Sequence, residues 1–374
     1  MKEGWEYKRI GDICEVLDSQ RKPITKSDRK PGTIPYYGAT GIQDYVEGYI
    51  FDGRYLLVGE DGAKWGKDDA TAYIIQGKSW VNNHAHILKF HDNVKDSFVR
   101  YYLNGKDLNG YITGAIVPKL TQAALVSIPI PIPKIAEQER IVAELDLLTG
   151  IIDKQTAQLK ELDTLAQSIF YEMFGSVDYN RKNFVVKSLS EVFQLITDGT
   201  HQTPQYTDDT TNGFKFLSAK DVVSGAIDWT KIKYIPESLH NELYRRLAPR
   251  RGDILLCKNG TTGICALVET DDVFDIYVSL ALLRTEDDYN RKYLVYAINN
   301  PSTKSQFDDS LKGVGVPNLH LGEIKKTKIL VPPLELQQSF ARKIESIESQ
   351  KAAINRSIAE TRKLLDYTMD KYFG

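Results

Sequence analysis

A few side chains of this sequence have types and spacings that could carry chemistry. His84 and His86 would share one face of a strand, as paired metal ligands can, but no Cys or carboxylate ligand supports them nearby in sequence. Asp198 and His201 could act as an acid–base pair, although Asp-Gly favours a turn that presents side chains to a partner. The acidic, glycine-rich stretch from Gly59 to Gly62 is typical of a tight turn after a strand. We therefore predict neither a metal site nor a catalytic site.

The sequence also lacks the motifs of common enzyme classes. It has no phosphate-binding Gly-x-x-x-x-Gly-Lys-Ser/Thr loop, no His-Glu-x-x-His and no Gly-x-Ser-x-Gly. The Asn/Asp-Pro-Pro-Tyr/Phe motif of adenine methyltransferases is missing, and the only Pro-Pro pair is Pro332-Pro333. We expect a non-catalytic chain, with an enzyme of unrecognised site as an alternative.

Binding is the function that the polar residues favour. Asn and Gln can pair with adenine edges, Lys and Arg with guanine or phosphate, and Thr methyl groups with thymine. Side chains of these types occur in turn-like segments at corresponding places in both halves of the chain. The candidate DNA-binding residues are Lys64, Trp65, Lys67, Asn82, Asn83, His84, Lys119, His201, Gln202, Lys220, Lys258, Asn259, Thr261, Thr262, Lys312 and Asn318.

The elements that must position these residues occur twice. At an offset of 199 residues, Gln138 matches Gln337, and Val117-Pro118 matches Val316-Pro317. The offset is 198 where Gly62 matches Gly260, and 179 near the start of each half. An offset that stays constant over roughly sixty residues argues against chance, so we predict two homologous halves, 1–175 and 176–374.

Each half has a globular part followed by a long helix. Short β-like runs punctuated by glycine predict a compact α+β domain, and a Pro-rich stretch then marks the start of the helix. We predict a first globular domain at 1–136, a long helix at 137–175, a second globular domain at 176–335 and a second long helix at 336–374.

The helices carry apolar residues at alternating spacings of four and three, which indicates a heptad seam. Gln155, Lys351, Thr361 and Thr368 interrupt it. Because each helix needs a partner and the second must run back, we predict an antiparallel coiled coil and a pseudo-twofold molecule. The seam residues are Ile141, Leu145, Leu148, Ile152, Leu159, Leu162 and Ile169 in the first helix, and Phe340, Ile344, Ile347, Ile354, Ile358 and Leu365 in the second.

Charge limits the class of partner. The 374 residues include 48 Lys and Arg against 50 Asp and Glu, a net charge of −2, which by itself argues against a free-standing nucleic-acid binder. The helix at 137–175 has 3 basic and 8 acidic residues, whereas that at 336–374 has 7 and 5. The opposite net charges favour pairing of the two helices, and any DNA affinity must come from local patches.

Cysteine content and hydropathy favour a cytoplasmic location. Three cysteines are too few for a disulfide scaffold and fit a reducing compartment. The sequence has no run of about 18 apolar residues and no apolar signal-peptide core at its start, so we expect no membrane contact.

Several segments, in this order, resemble the specificity subunits of type I restriction–modification systems. The first half has Trp5-Glu-Tyr-Lys-Arg-Ile-Gly-Asp-Ile13, Ile34-Pro-Tyr-Tyr-Gly-Ala-Thr-Gly41 and Tyr49-Ile-Phe-Asp-Gly53. The second has Asp198-Gly-Thr-His-Gln-Thr-Pro204. The helix starts match closely at Pro131-Ile-Pro-Lys-Ile-Ala-Glu-Gln-Glu-Arg-Ile141 and more loosely at Pro332-Pro-Leu-Glu-Leu-Gln-Gln338, where Leu336 replaces the usual Glu.

The resemblance implies a non-catalytic subunit that recognises an asymmetric bipartite target in double-stranded DNA, one half-site per domain, with the helix pair setting the gap. It implies docking of two methyltransferase subunits and, in some systems, two restriction–motor subunits. It also implies N6-methylation of adenine by the partner, which binds S-adenosylmethionine, so no cofactor is expected in this chain. A two-headed scaffold that does not bind DNA is the alternative.

Overall fold

The computed structural model describes residues 4–223, 225–286, 288–311 and 317–374. The chain forms two compact units, Met1–Ala157 with Asn355–Gly374, and Gln158–Ile354. Each unit therefore contains one globular domain and half of each long helix. The division falls inside the helices because each half-helix packs into the hydrophobic core of the unit to which it belongs.

The first unit is built on a six-stranded mixed sheet. Its elements are β1 (Glu6–Arg9), α1 (Ile10–Ile13), β2 (Cys14–Val16), β3 (Pro31–Gly38), β4 (Gly41–Val46), β5 (Phe51–Gly59), β6 (Ala72–Val81), β7 (Ala85–Phe90), α2 (Asp96–Gly105), α3 (Gln122–Ser127), β8 (Pro129–Ile132) and the start of α4 (Ile135–Phe174). The strand order is β2-β7-β5-β6-β3-β4, in which only β3 and β6 pair in parallel. β1 pairs with β8 beside the start of α4.

The second unit divides its strands among smaller sheets. Its elements after α4 are β9 (Val185–Ser188), α5 (Leu189–Val192), β10 (Leu195–Asp198), β11 (Phe214–Leu217), β12 (Val222–Val223), β13 (Ala226–Ile227), β14 (Lys233–Ile235), α6 (Glu237–Arg246), β15 (Ile254–Cys257), β16 (Cys265–Leu267), β17 (Phe274–Ile276), β18 (Leu280–Arg284), α7 (Arg291–Ile298), α8 (Pro301–Ser310), α9 (Leu321–Lys326), β19 (Lys328–Val331) and α10 (Leu334–Phe373). The orders are β10-β18-β15-β16 and β14-β11-β17, with the pairs β12-β13 and β9-β19.

The internal repeat of the sequence is present in the fold. β7 lies between β2 and β5 in the first unit, and β18 lies between β10 and β15 in the second, all antiparallel. Leu88 faces Val16 in the first unit, and Leu283 faces Ile196 in the second. The pair β1-β8 likewise corresponds to β9-β19. The prediction of two similar α+β domains with paired long helices is confirmed.

A buried glutamine fixes the start of each long helix. The Gln138 side chain accepts a hydrogen bond from the Lys95 backbone (2.9 Å) and donates to the Pro133 carbonyl (2.9 Å). Gln337 repeats this arrangement, accepting from the Asn290 backbone (3.0 Å) and donating to Pro332 (2.8 Å). Carbonyls preceding a helix need partners away from water, which explains why both halves place a glutamine five residues after a proline.

Both α4 and α10 are 40 residues long, and their facing halves run antiparallel within each unit. In the first unit, Gln155 of α4 donates to Ser357 (2.7 Å), and the Tyr372 hydroxyl, further along α10, donates to Glu144 (2.7 Å), further back along α4. Every predicted seam residue is buried or half-buried. The amide nitrogen of Gln155 thus has a partner across the helix pair, whereas its buried Oε1 has none.

Gly175 ends the first long helix. Its φ of +77° lies in the left-handed region, which a side chain would disfavour, and its backbone N–H donates to the Tyr171 carbonyl (2.8 Å). Before this end, Phe170 and Phe174 contact the rings of Tyr293 and Phe340 in the core of the second unit. The helix is therefore anchored to the domain that follows it in sequence.

Candidate nucleic-acid interface

The candidate residues concentrate where a central strand of each domain ends. In the first domain, β5 is followed by Glu60 and Asp61, and Leu120 donates a backbone hydrogen bond to the Glu60 carbonyl (2.8 Å). In the second, β15 is followed by Lys258, whose carbonyl accepts from the Leu319 backbone (2.8 Å). Asp61 bridges to Lys119, and Asn259 bridges to Asn318. We call these segments the paired loops: 60–61 with 119–120 in the first domain, and 258–259 with 318–319 in the second.

A buried ion network supports the paired loops of the first domain. The Glu60 carboxylate contacts the Arg21 guanidinium and accepts from Lys119 (2.6 Å). Asp18 lies 3.4 Å from Arg21 and 2.5 Å from Nδ1 of His86, while Nε2 of His86 contacts the Leu120 carbonyl (2.7 Å). The network therefore ties both loops to the ends of the central strands.

The network keeps its two carboxyl groups ionised. Burial acts to raise the pKa of Glu60, but hydrogen bonds from Lys119 and Arg21 outweigh it and hold that pKa below its usual range. Burial likewise acts to raise the pKa of Asp18, but the hydrogen bond and charge of His86 hold that pKa below its usual range. The negative charge of both side chains is thus built into the folded state.

The second domain has a corresponding ion pair with one charge reversed. Asp18 lies two residues after Val16, and Asp198 lies two residues after the matching Ile196. A side-chain nitrogen of Arg21 lies 3.4 Å from the Asp18 carboxylate, and Nε2 of His201 lies 3.4 Å from the Asp198 carboxylate. However, the position of Glu60 is taken by Lys258, whose ammonium contacts the Asp198 carboxylate. Both partners are buried, with 6% and 7% exposure. The two domains therefore use one scaffold with different charges beneath their loops.

Four predicted DNA-binding residues are buried, and the expectation that they lie at the accessible surface is wrong. Trp65 is 7% exposed within the core, and its indole N–H donates to the Gly59 carbonyl (3.1 Å). Asn82 is 6% exposed because its side chain accepts from the His84 backbone (2.8 Å). Lys258 is held by its ion pair, and Thr262 is 5% exposed. Their polar atoms shape the loops from within.

The remaining candidates of the first domain are accessible but differ in their partners. Lys64 and Asn83 are exposed. His84 is exposed and contacts Asp61 through Nδ1 (2.5 Å). Lys67 forms an ion pair with Asp370 of α10 (3.0 Å), and Lys119 is half-exposed beside Glu60. Lys67 and Lys119 thus bind a helix and a buried carboxylate, whereas Lys64, Asn83 and His84 are accessible and have neither of these two contacts.

The accessible candidates of the second domain lie on several loops. His201, Gln202, Lys220, Thr261 and Asn318 are exposed, and Asn259 is half-buried. These side chains can donate or accept hydrogen bonds at base edges or phosphates. Lys312 was also predicted, and it lies outside the residues that the structure describes.

Residues beneath the loops escaped the sequence analysis. Asp18, Arg21 and Glu60 are spread over more than forty positions, so no local spacing marks them as one cluster. The repeat offered a signal, because the match of Gly62 to Gly260 places Glu60 opposite Lys258. A reversal of charge at matched buried positions points to a structural ion pair in each domain.

The buried network also contains three potential metal ligands, Asp18, Glu60 and His86, whose ligand atoms lie within 4.8 Å of one another. Nδ1 of His86, the ring nitrogen that faces the carboxylates, lies within hydrogen-bonding distance of Asp18 (2.5 Å). Arg21 and Lys119 already balance the carboxylate charge. We interpret the cluster as an ion network, and His84, the other histidine of the sequence pair, does not belong to it.

The chain thus contains two homologous α+β domains with differing paired loops, together with paired long helices. Residues 2–164 and 181–361 match the family model of the type I restriction modification DNA specificity domain, and the chain belongs to this family. It is a DNA sequence-recognition chain of that class.

Full-length relatives agree with this assignment. The chain is 27% identical to a type I restriction enzyme specificity subunit from Haemophilus influenzae, over 97% of this chain and 93% of that protein. Its fold is similar to the S subunit of a type I restriction–modification system from M. genitalium (TM-score 0.60, 12% identity, 99% of this chain and 96% of the other covered). It also resembles a chain from a structural study of complex assembly in the type I system (TM-score 0.55, 18% identity, 100% and 98% covered). Among the described residues, none of the helices is long and apolar enough to cross a membrane.

Proposed function

We propose that this chain selects an asymmetric bipartite DNA target, with each domain recognising one half-site through its paired loops and its other exposed candidate residues. The observation that carries the proposal is the matched position of these loops combined with their different side chains. Asp61 and Lys119 in one domain correspond to Asn259 and Asn318 in the other. Because these groups offer different donors and acceptors, the two half-sites should differ.

The exposed candidates supply the base contacts in this proposal. Asn83 and Gln202 can pair with adenine, whereas Lys64 and Lys220 can bind guanine or phosphate. The buried ion pairs hold the loops in register instead of contacting DNA. This division explains why a chain with a net charge of −2 can select a sequence, because contacts to base edges provide the selection.

The chemistry belongs to partner subunits under this proposal. The chain itself has no catalytic role and binds no cofactor, and it docks two methyltransferase subunits that bind S-adenosylmethionine and methylate adenine at N6. Two restriction–motor subunits join where the system includes them. Since the partners contribute most phosphate contacts, the chain alone should bind DNA weakly, and the complex should bind tightly and in a salt-sensitive way.

The test is co-expression with the methyltransferase subunit of the same system, followed by sequencing for modified adenines. The expected result is one motif with two unlike half-sites at a fixed gap, which disappears without this chain. A methyltransferase with the same motif in the absence of this chain would refute the proposal. Absence of any sequence-dependent DNA protection by the assembled complex would instead favour a scaffold that does not bind DNA.

A further inference from the structure

The loop from Thr113 to Lys119 is a well-defined hairpin beside the paired loops of the first domain. Its base is closed by two backbone hydrogen bonds, Thr113 N–H to the Lys119 carbonyl (2.9 Å) and the reverse (2.8 Å). Gly114 has a φ of +91°, and a Cβ there would lie 2.4 Å from the Val117 carbonyl oxygen. The turn therefore requires glycine and fixes the shape of the tip.

The tip of this hairpin is apolar and exposed. Ile116 is 95% exposed, the highest value among the large hydrophobic residues that the structure describes, and Val117 beside it is 62% exposed. Isolated exposed aliphatic residues are common, but two neighbours held at the end of a closed turn present a compact apolar projection. Removing these apolar side chains from water is favourable, so binding of a partner that covers the tip would lower the free energy.

The surroundings of the tip indicate the partner. The hairpin ends at Lys119, which contacts Glu60 (2.6 Å) and bridges to Asp61, and Asp61 contacts His84 (2.5 Å). The apolar tip thus lies next to Lys119 and is linked through Asp61 to His84, and both Lys119 and His84 are candidate DNA-binding residues. A few apolar atoms rimmed by hydrogen-bonding groups match DNA, where stacked bases lie between polar edges and phosphates, better than they match an apolar protein patch.

The sequence repeat preserves only part of the tip. Gly114-Ala-Ile-Val-Pro118 corresponds to Gly313-Val-Gly-Val-Pro317, so the glycine and the Val-Pro pair are kept but Gly315 stands opposite Ile116. Residues 312–316 lie outside the described part of the chain, so this comparison concerns sequence alone. The large apolar side chain at the tip is therefore particular to the first domain, and so is the contact inferred from it.

We propose that Ile116 and Val117 form an apolar wedge that enters a groove of the first half-site and packs against one base-pair step, partly unstacking it. The proposal rests on the proposed DNA-recognition function and adds a contact that supplies affinity without choosing the base. Apolar side chains act in this way in other DNA-binding proteins that bend the duplex.

The test uses the assembled methyltransferase complex and duplexes with 2-aminopurine placed at successive steps of the first half-site. The wild-type complex should raise the fluorescence at one step, and Ile116→Ser/Val117→Ser should abolish that rise. The same double variant should weaken cognate binding by about tenfold or more while leaving the methylated motif unchanged. Because the tip is already exposed, the substitutions should not unfold the domain.

Two controls make the result specific. Val185→Ser removes another exposed valine, in the second unit, and should change neither signal. Fluorescence at the adenine that the methyltransferase flips should stay the same in the double variant. Unchanged affinity and unstacking in that variant would overturn the wedge while leaving the recognition function intact. If the double variant fails to assemble with the methyltransferase even when DNA is absent, the wedge is overturned and the tip is instead a protein contact. If the wild-type complex binds no sequence preferentially, the recognition function itself fails.

Discussion

The ion pair between Lys258 and Asp198 gives the sharpest prediction. Both side chains are buried, so Lys258→Met keeps most of the aliphatic packing but leaves the Asp198 carboxylate without its main partner. His201 at 3.4 Å is largely exposed and compensates little. Removing one member of a buried pair typically costs about 3–5 kcal/mol, and we expect about 3 kcal/mol here.

Hydrogen exchange and denaturant unfolding of the full chain would measure this loss. The Leu319 amide, which donates to the Lys258 carbonyl, should exchange about a hundredfold faster if the second domain opens as a unit. Asp198→Asn in the same chain should recover much of the lost stability, because the carboxylate is then absent. Lys220→Met removes an exposed lysine that lies 3.7 Å from its nearest carboxylate, and should cost at most about 0.5 kcal/mol.

The functional consequence separates two roles for Lys258. If Lys258 positions the loop, Lys258→Met should impair recognition of the second half-site alone. The Lys258→Met/Asp198→Asn double variant should restore that recognition. A Lys258→Met chain of unchanged stability that has lost the second half-site would refute this reasoning, because it would identify Lys258 as a direct base contact.

Three further predictions address the network, the helix core and the spacer. Since Asp18 and Glu60 have lowered pKa values in the folded state, their contribution to stability should be complete above the ordinary carboxyl pKa of about 4 and should decrease as the pH falls through the folded-state values; Glu60→Gln should flatten the dependence of the unfolding midpoint on pH in this acidic range. Ile344→Ala, at a fully buried seam position, should destabilise the second unit by about 2–5 kcal/mol in denaturant unfolding, whereas exposed Leu336→Ala should cost far less. Inserting one heptad at matched places in both long helices should keep the seam in register and change the gap in the methylated motif, and an unaltered gap would contradict the spacer role.

The long helices and the repeat were predictable because their signals lie in the sequence itself. The alternation of four and three predicts α4 and α10, and constant offsets identify corresponding residues such as Gln138 and Gln337. Those signals are regular over many residues, so they survive local exceptions such as Gln155.

The burial of individual polar residues could not be predicted in this way. Lys258 looks like a loop lysine until Asp198, 60 positions away, is placed beside it. Trp65 looks like an exposed aromatic side chain until the Gly59 carbonyl accepts its N–H. Contacts of this kind depend on how the strands assemble in three dimensions, so neither composition nor local spacing predicts them.

The central claim is that each domain recognises its own half-site. The most direct measurement replaces residues 180–332 with a copy of residues 1–133, which retains both long helices, and sequences modified adenines after co-expression with the methyltransferase. The expected motif contains the first half-site twice, in inverted orientation. Persistence of the original second half-site in an assembled complex would contradict the claim.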